Sequence, residues 1–176
     1  MMINGLNKKL LLVLIGHSFF LFATPSNALA EKVIFRQAGN SLVAHYLLPK
    51  ANFHKGVIIF VHGDGPMNYE ADGYYPLIWN YLRAQGYAIF SWSKAGIGGS
   101  SDHWLNQSML DRQIELRAAI QFLRDKYKYR GTQIGLLGFS QAGWVIPAVA
   151  NNNPDVGFVV GIGFAIDWFE QGWYLT

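Results

Sequence analysis

Gln133-Ile134-Gly135-Leu136-Leu137-Gly138-Phe139-Ser140-Gln141-Ala142-Gly143 is the stretch that decides how this chain is read. Residues 133–137 form a short apolar run of strand length, and Trp144 to Ala150 continues as an apolar, helix-like stretch. Between them stands a serine whose neighbours Gly138, Ala142 and Gly143 carry almost no side chain. Strand, small residue, serine, small residues, helix is the layout of a nucleophile elbow, a tight turn that lifts a serine hydroxyl above a sheet edge. The start of the following helix brings N–H groups and a partial positive charge to the place where an oxyanion would form. A Gly- and Ser-rich turn without chemistry has the same local composition, so the reading depends on the order of the segments around it.

Downstream, Val156 to Phe164 reads as one more apolar strand, and the helix after the serine is expected to run to about Asn151. Upstream, Ser108 to Tyr127 has the longest helical pattern, with Ser108 and Asp111 spaced as a capping box. Its apolar residues at 110, 114, 118 and 122, with neighbours 119 and 123, predict one buried face. Tyr87 to Trp92 and Val57 to Val61 are continuous apolar runs of the kind found in buried central strands. Pro76 to Ala84 lies between them, with proline in the first turn and Gly86 past the end, as in a helix. Val33 to Gln37 and Leu42 to Leu48 read as two strands joined by the turn 38–41. Strands alternating with helices predict an α/β fold: a mostly parallel sheet with helices on both faces and an antiparallel edge. In such sheets the site lies at the carboxyl ends of the strands. The Gly-rich segments 62–66, 93–101 and 138–143 each follow a strand and are expected to meet there.

The ends of the chain carry a different signal. Lys8-Lys9, the apolar runs 10–15 and 19–23, and Ala28-Leu29-Ala30 have the order of a secretory signal with its cleavage site. The expected organisation is a signal peptide over 1–30 and one α/β domain over 31–176, in a periplasmic or secreted protein with no stable membrane insertion after cleavage. The whole chain has 14 basic and 11 acidic residues. Removing Lys8 and Lys9 leaves 12 against 11, so no basic patch points to nucleic acid. The Lys126-Tyr127-Lys128-Tyr129-Arg130 cluster reads as a solvated helix end. With no cysteine there is no disulfide scaffold. No histidine pair has metal-ligand spacing, so neither a metal nor a cofactor is expected.

Taken together, three segments resemble the α/β-hydrolase superfamily. His62-Gly63-Asp64-Gly65 resembles its H-G-x-G oxyanion loop. Lys94-Ala95-Gly96-Ile97-Gly98-Gly99-Ser100 resembles the loop that often reads D-x-R-G-x-G-x-S, and 138–143 resembles the elbow. The resemblance covers about residues 33–164, and its nearest flavour is the bacterial esterase and serine-aminopeptidase-like group. It implies Ser140 as nucleophile, the backbone N–H groups of Gln141 and Asp64 as oxyanion donors, and a structural His62 that braces the loop. It implies cleavage of an ester or amide in a small-molecule or peptide substrate through an acyl-enzyme. Asp167, shortly after the last expected strand, stands where some members place the acid; the start of a lid or a turn cap is its other reading.

One departure bears on activity. The superfamily orders its triad serine, acid, histidine along the chain, yet the last of the five histidines here is His103. The chain is therefore expected to be an α/β-hydrolase fold lacking its C-terminal strands, ending on an apolar edge strand, and impaired in catalysis. A non-catalytic periplasmic binding or interaction domain, or a truncated pseudoenzyme, is the alternative. A dinucleotide site at 96–100 is weaker still, because the third glycine and a directly following helix are missing. Tyr69, Tyr74, Tyr75, Trp104 and Trp168 stand near the loops, where aromatic residues either pack or line an apolar pocket.

Overall fold

The computed structural model describes residues 30–167; the expected signal segment and Trp168 lie outside them. Six strands form one sheet: β1 (Ala30–Gln37), β2 (Asn40–Leu47), β3 (Gly56–Val61), β4 (Tyr87–Trp92), β5 (Ile134–Phe139) and β6 (Phe158–Ile162). Their spatial order is β1-β2-β4-β3-β5-β6. β4, β3, β5 and β6 run parallel, and the β1–β2 hairpin joins β4 in antiparallel pairing. The mostly parallel α/β sheet with an antiparallel edge is thus observed. The hairpin turn is tighter than the sequence indicates. Ala38 and Gly39 alone form it, both at positive φ (47° and 90°), and Gln37 faces Asn40 across it. Two positive φ values match the twist of the flanking strands.

Side chains alternate across the pleat and fill two cores. Val57, Ile59 and Val61 of β3 join Phe90, Leu136 and the helices α2 (Met109–Tyr127) and α3 (Ile146–Ala150) on one face. Ile58 and Phe60 join Ile89, Leu137 and α1 (Tyr75–Ala84) on the other. Both faces are covered, which is why β3 reads as one unbroken apolar run.

Two helical expectations change. The buried face of α2 is Arg112, Glu115, Leu116, Ala119, Ile120 and Leu123, whereas Leu110 and Ile114 are 63% and 41% exposed. The helix is rotated from the face its apolar residues indicate, because two charged side chains point inward to the site described below. The stretch after Ser140 is not one helix. It is a 3₁₀ turn over Ser140–Trp144, a break at Val145, and α3 with Pro147 in its first turn. β6 is also shorter than 156–164. Gly163 ends it at φ +56°, and the chain folds back so that Ala165 N–H donates to Ser140 O at 3.0 Å.

Candidate active site

β3, β4 and β5 are parallel, so their carboxyl ends share one edge of the sheet. The loops beginning at His62, Ser93 and Ser140 leave from that edge. Ser140 has φ +48°, a left-handed conformation that non-glycine residues adopt only under constraint, and it is the first residue of its 3₁₀ turn. The constraint is close packing. A Cβ at Gly138 would lie 2.4 Å from Ile146 Cδ1 and 2.7 Å from Ala142 Cβ. The 62–65 loop presses on the same turn: a Cβ at Gly63 would stand 3.4 Å from Ser140 Cβ and 3.3 Å from Phe139 O. The structure therefore brings Ser140, Gln141, Gly63 and Asp64 together. Gln141 is second in its turn, where a helical N–H has no intrahelical acceptor. No described residue accepts a hydrogen bond from the Asp64 N–H.

His62 is buried, and both its ring nitrogens are engaged. Trp92 O can only accept, so Nε2 carries the proton and donates to it at 2.5 Å, while Tyr75 OH donates to Nδ1 at 3.0 Å. Burial is the main cause that pushes its pKa down to about 3, so the ring is neutral. This is a brace for the loop. His45 stacks on Tyr69 with ring centroids 3.6 Å apart, His54 meets Tyr129 OH at 3.0 Å, and His103 accepts from Leu105 N–H. None of these four described histidines hydrogen-bonds Ser140. Asp167 is exposed, five residues past β6 and two beyond Ala165, and does not line the cavity beside Ser140.

Three charged residues of the site are not legible as such in the sequence. Arg112 donates from Nη2 to His62 O and from Nη1 to Gln141 Oε1, both at 2.5 Å. Gln141 Nε2 reaches on to Asp64 Oδ1 at 3.3 Å. Lys94, 3% exposed, donates to Gly63 O at 2.6 Å, with the Trp104 ring 5.6 Å away. Burial, with Arg112 next, lowers its pKa to about 7. Glu115 accepts from Trp92 Nε1 and Gln107 Nε2, and burial raises its pKa. The one available signal was the i, i+3 spacing of Arg112 and Glu115, which sets both on the side of α2 that carries Leu116, Ala119 and Leu123.

Two cavities flank Asp64. One, of about 370 Å³, opens at Ser140 between Met67, Ala71, Tyr74, Tyr75 and Phe139. The other, of about 180 Å³, has a mixed lining and lies between Lys94, Arg112, Gln141, Trp104, Leu105 and Met109. Of the five aromatic residues near the loops, Tyr74 and Tyr75 line the first cavity, Trp104 lines the second, and Tyr69 packs on His45. The 94–100 loop closes on itself through Gly96 N–H to Ser100 O, and a 3₁₀ turn, Trp104–Asn106, follows it. Among the described residues no group of three or more His, Cys, Asp or Glu could hold a metal ion, and no helix is long and apolar enough to cross a membrane.

No protein-family model matches the chain, and no curated protein matches it by sequence. Solved structures do match. The Pf2001 esterase of Pyrococcus furiosus superposes with TM-score 0.67 at 20% identity, over 81% of this chain and 54% of its own. The α/β hydrolase GrgF of Penicillium sp. sh18 gives TM-score 0.66 at 22% identity, over 78% and 47%. The esterase domain of a Rhodothermus marinus protein gives 0.58 at 27% identity, over 78% and 51%. The chain spans about half the length of the structures it matches. Strand order, the strained serine after β5 and these superpositions agree: the described residues carry the α/β-hydrolase fold.

Proposed function

We propose that this chain is the nucleophile-bearing part of a serine hydrolase that cleaves an ester or amide through an acyl-enzyme on Ser140. The observation that carries the reading is Ser140 at φ +48°, at a helix start and pressed against Gly63. In this mechanism Ser140 Oγ attacks the substrate carbonyl carbon and its proton passes to a base. The carbonyl oxygen becomes an oxyanion that accepts from the Gln141 and Asp64 N–H groups. Collapse expels the alcohol or amine, which takes up the proton from the base, and leaves the acyl group on Ser140; water then releases it as the carboxylic acid and restores the hydroxyl. A serine hydroxyl is a weak nucleophile without an adjacent base, and no described histidine hydrogen-bonds Ser140. Asp167 is the proposed orienting acid. The chain by itself is accordingly assigned little turnover, about the 1,000–10,000-fold over water left when a triad member is removed. Its proposed setting is periplasmic or secreted, on the strength of Lys8-Lys9, the apolar runs and Ala28-Leu29-Ala30.

A fluorophosphonate probe tests the nucleophile. Intact-mass and peptide analysis should find the label on Ser140, and Ser140→Ala should take none. A short-chain nitrophenyl ester should turn over slowly. If Ser140 in folded protein resists the probe while the 370 Å³ cavity binds small apolar molecules, the chain is a binding domain. What favours that second reading is that no described histidine hydrogen-bonds Ser140.

A further inference from the structure

We propose that Lys94 and Arg112 are positioning residues that hold the peptide planes of the 62–64 loop in the orientation an oxyanion hole requires. The proposal rests on the reading of Ser140 as nucleophile.

A planar trans peptide points its C=O and the next residue's N–H in opposite directions. Lys94 Nζ holds Gly63 O at 2.6 Å, so the Asp64 N–H is turned away from Lys94. Arg112 Nη2 holds His62 O at 2.5 Å, so the Gly63 N–H is turned away from Arg112. The Arg112 bond is charge-assisted and stronger than a neutral one, and so is the Lys94 bond whenever its amine is protonated. Glycine at 63 tolerates either orientation of the following plane. In the flipped orientation a carbonyl oxygen replaces the Asp64 N–H and repels the oxyanion. The flip would also strip Lys94 of the one hydrogen bond its ammonium makes among the described residues, in a place where it is 3% exposed. A buried donor that loses its acceptor is costly whether it is an ammonium or a neutral amine, so Lys94 biases the plane.

Arg112 adds a second constraint. Its guanidinium spans from the loop, through His62 O, to the elbow, through Gln141 Oε1, and Gln141 Nε2 continues to Asp64 Oδ1. The residues that supply the two oxyanion donors are thereby tied to one rigid fork. Neither cation needs to touch substrate to do this.

The test uses the full chain and the variants Lys94→Met, Lys94→Arg, Lys94→Gln and Arg112→Met. Three quantities are compared in folded protein: the rate of Ser140 phosphonylation, the affinity for an alkylboronic acid, and the affinity for the matching alcohol. The boronate adduct is tetrahedral and needs the hole; the alcohol only fills the apolar cavity. The Asp64 amide resonance in ¹⁵N spectra reports the plane directly. Losing an oxyanion donor outright typically costs about 100–1,000-fold, so a misdirected one should cost about 10–100-fold. Lys94→Met should lower phosphonylation and boronate affinity by that factor, leave alcohol affinity within about twofold, and split or broaden the Asp64 amide resonance. Lys94→Arg should restore most of the loss, and Arg112→Met should weaken the same two readouts. An unchanged Asp64 resonance and unchanged phosphonylation in Lys94→Met would overturn the proposal; so would alcohol and boronate affinities falling in parallel. Should Lys94→Met not fold, Lys94→Gln carries the same comparison. If wild-type Ser140 takes no label, the hydrolase reading fails, and the Asp64 resonance alone then decides the orientation of the plane.

Discussion

His62 shows how one buried side chain serves the site and limits the pH range of the fold. Its ring is neutral in the folded protein, with a pKa near 3 against 6.5 in a free chain. The unfolded chain therefore binds a proton between pH 6.5 and 3 that the folded chain refuses. The stability His62 contributes is complete above pH 6.5 and is lost progressively as pH falls toward 3. The slope is at most about 1.4 kcal/mol per pH unit for one proton. His45 and His54, also lowered by burial, act in the same direction. Glu31, Asp102 and Asp111, lowered by hydrogen bonds, act at lower pH. Urea midpoints between pH 7.5 and 5 should fall for wild type and fall less steeply for His62→Gln. Parallel profiles would remove His62 from this role.

At the scale of an element, α2 joins the sheet to the site. Ser108 Oγ accepts from Asp111 N–H at 3.2 Å, and Asp111 Oδ2 accepts from Ser108 N–H at 2.8 Å, so the box expected from the sequence is closed. The cap sets where the helix begins, and Arg112 and Glu115 enter the site within its first two turns. Ser108→Ala should cost about 1 kcal/mol, read from denaturant midpoints at unchanged m-value. A Ser108→Ala, Asp111→Ala double variant should cost less than the sum of the two, because both bonds belong to one unit. Strict additivity would mean that the two bonds act separately. The rotated face of α2 has a physical cause. Periodicity counts apolar residues, while the orientation of the helix is also set by hydrogen bonds from Arg112 to His62 O and Gln141 and from Trp92 to Glu115.

For the whole molecule, the sheet's two outer strands differ. β1 is tied to α2 through Glu31, which takes Lys126 Nζ at 2.6 Å and Tyr127 OH at 2.7 Å. β6 pairs only with β5 among the described residues, and Val159, Val160 and Ile162 are 42%, 39% and 42% exposed. An open apolar edge is a template for pairing with another chain, and lysine on such an edge blocks it. Light scattering should show the wild-type chain associating as concentration rises, and Val160→Lys associating several-fold less. Monomers of both at all concentrations would exclude edge pairing.

What the sequence by itself determined was local. Continuous apolar runs marked β3, β4 and β5; Ser108 and Asp111 marked the start of α2; the small residues around Ser140 marked a turn too tight for side chains. Each of these signals lies within a few residues, because strand burial, capping and close approach each constrain neighbouring positions directly. Only the tertiary structure decided which distant groups meet. Lys94 on Gly63, Arg112 between His62 and Gln141, and Glu115 under Trp92 join segments 23 to 50 residues apart. No local pattern encodes those pairings, since a charged residue on a helix or loop is ordinarily solvated. It is the placement of the start of α2 across the ends of β3 and β4 that removes the water and leaves backbone carbonyls and the Gln141 side-chain amide as the partners of the two cations.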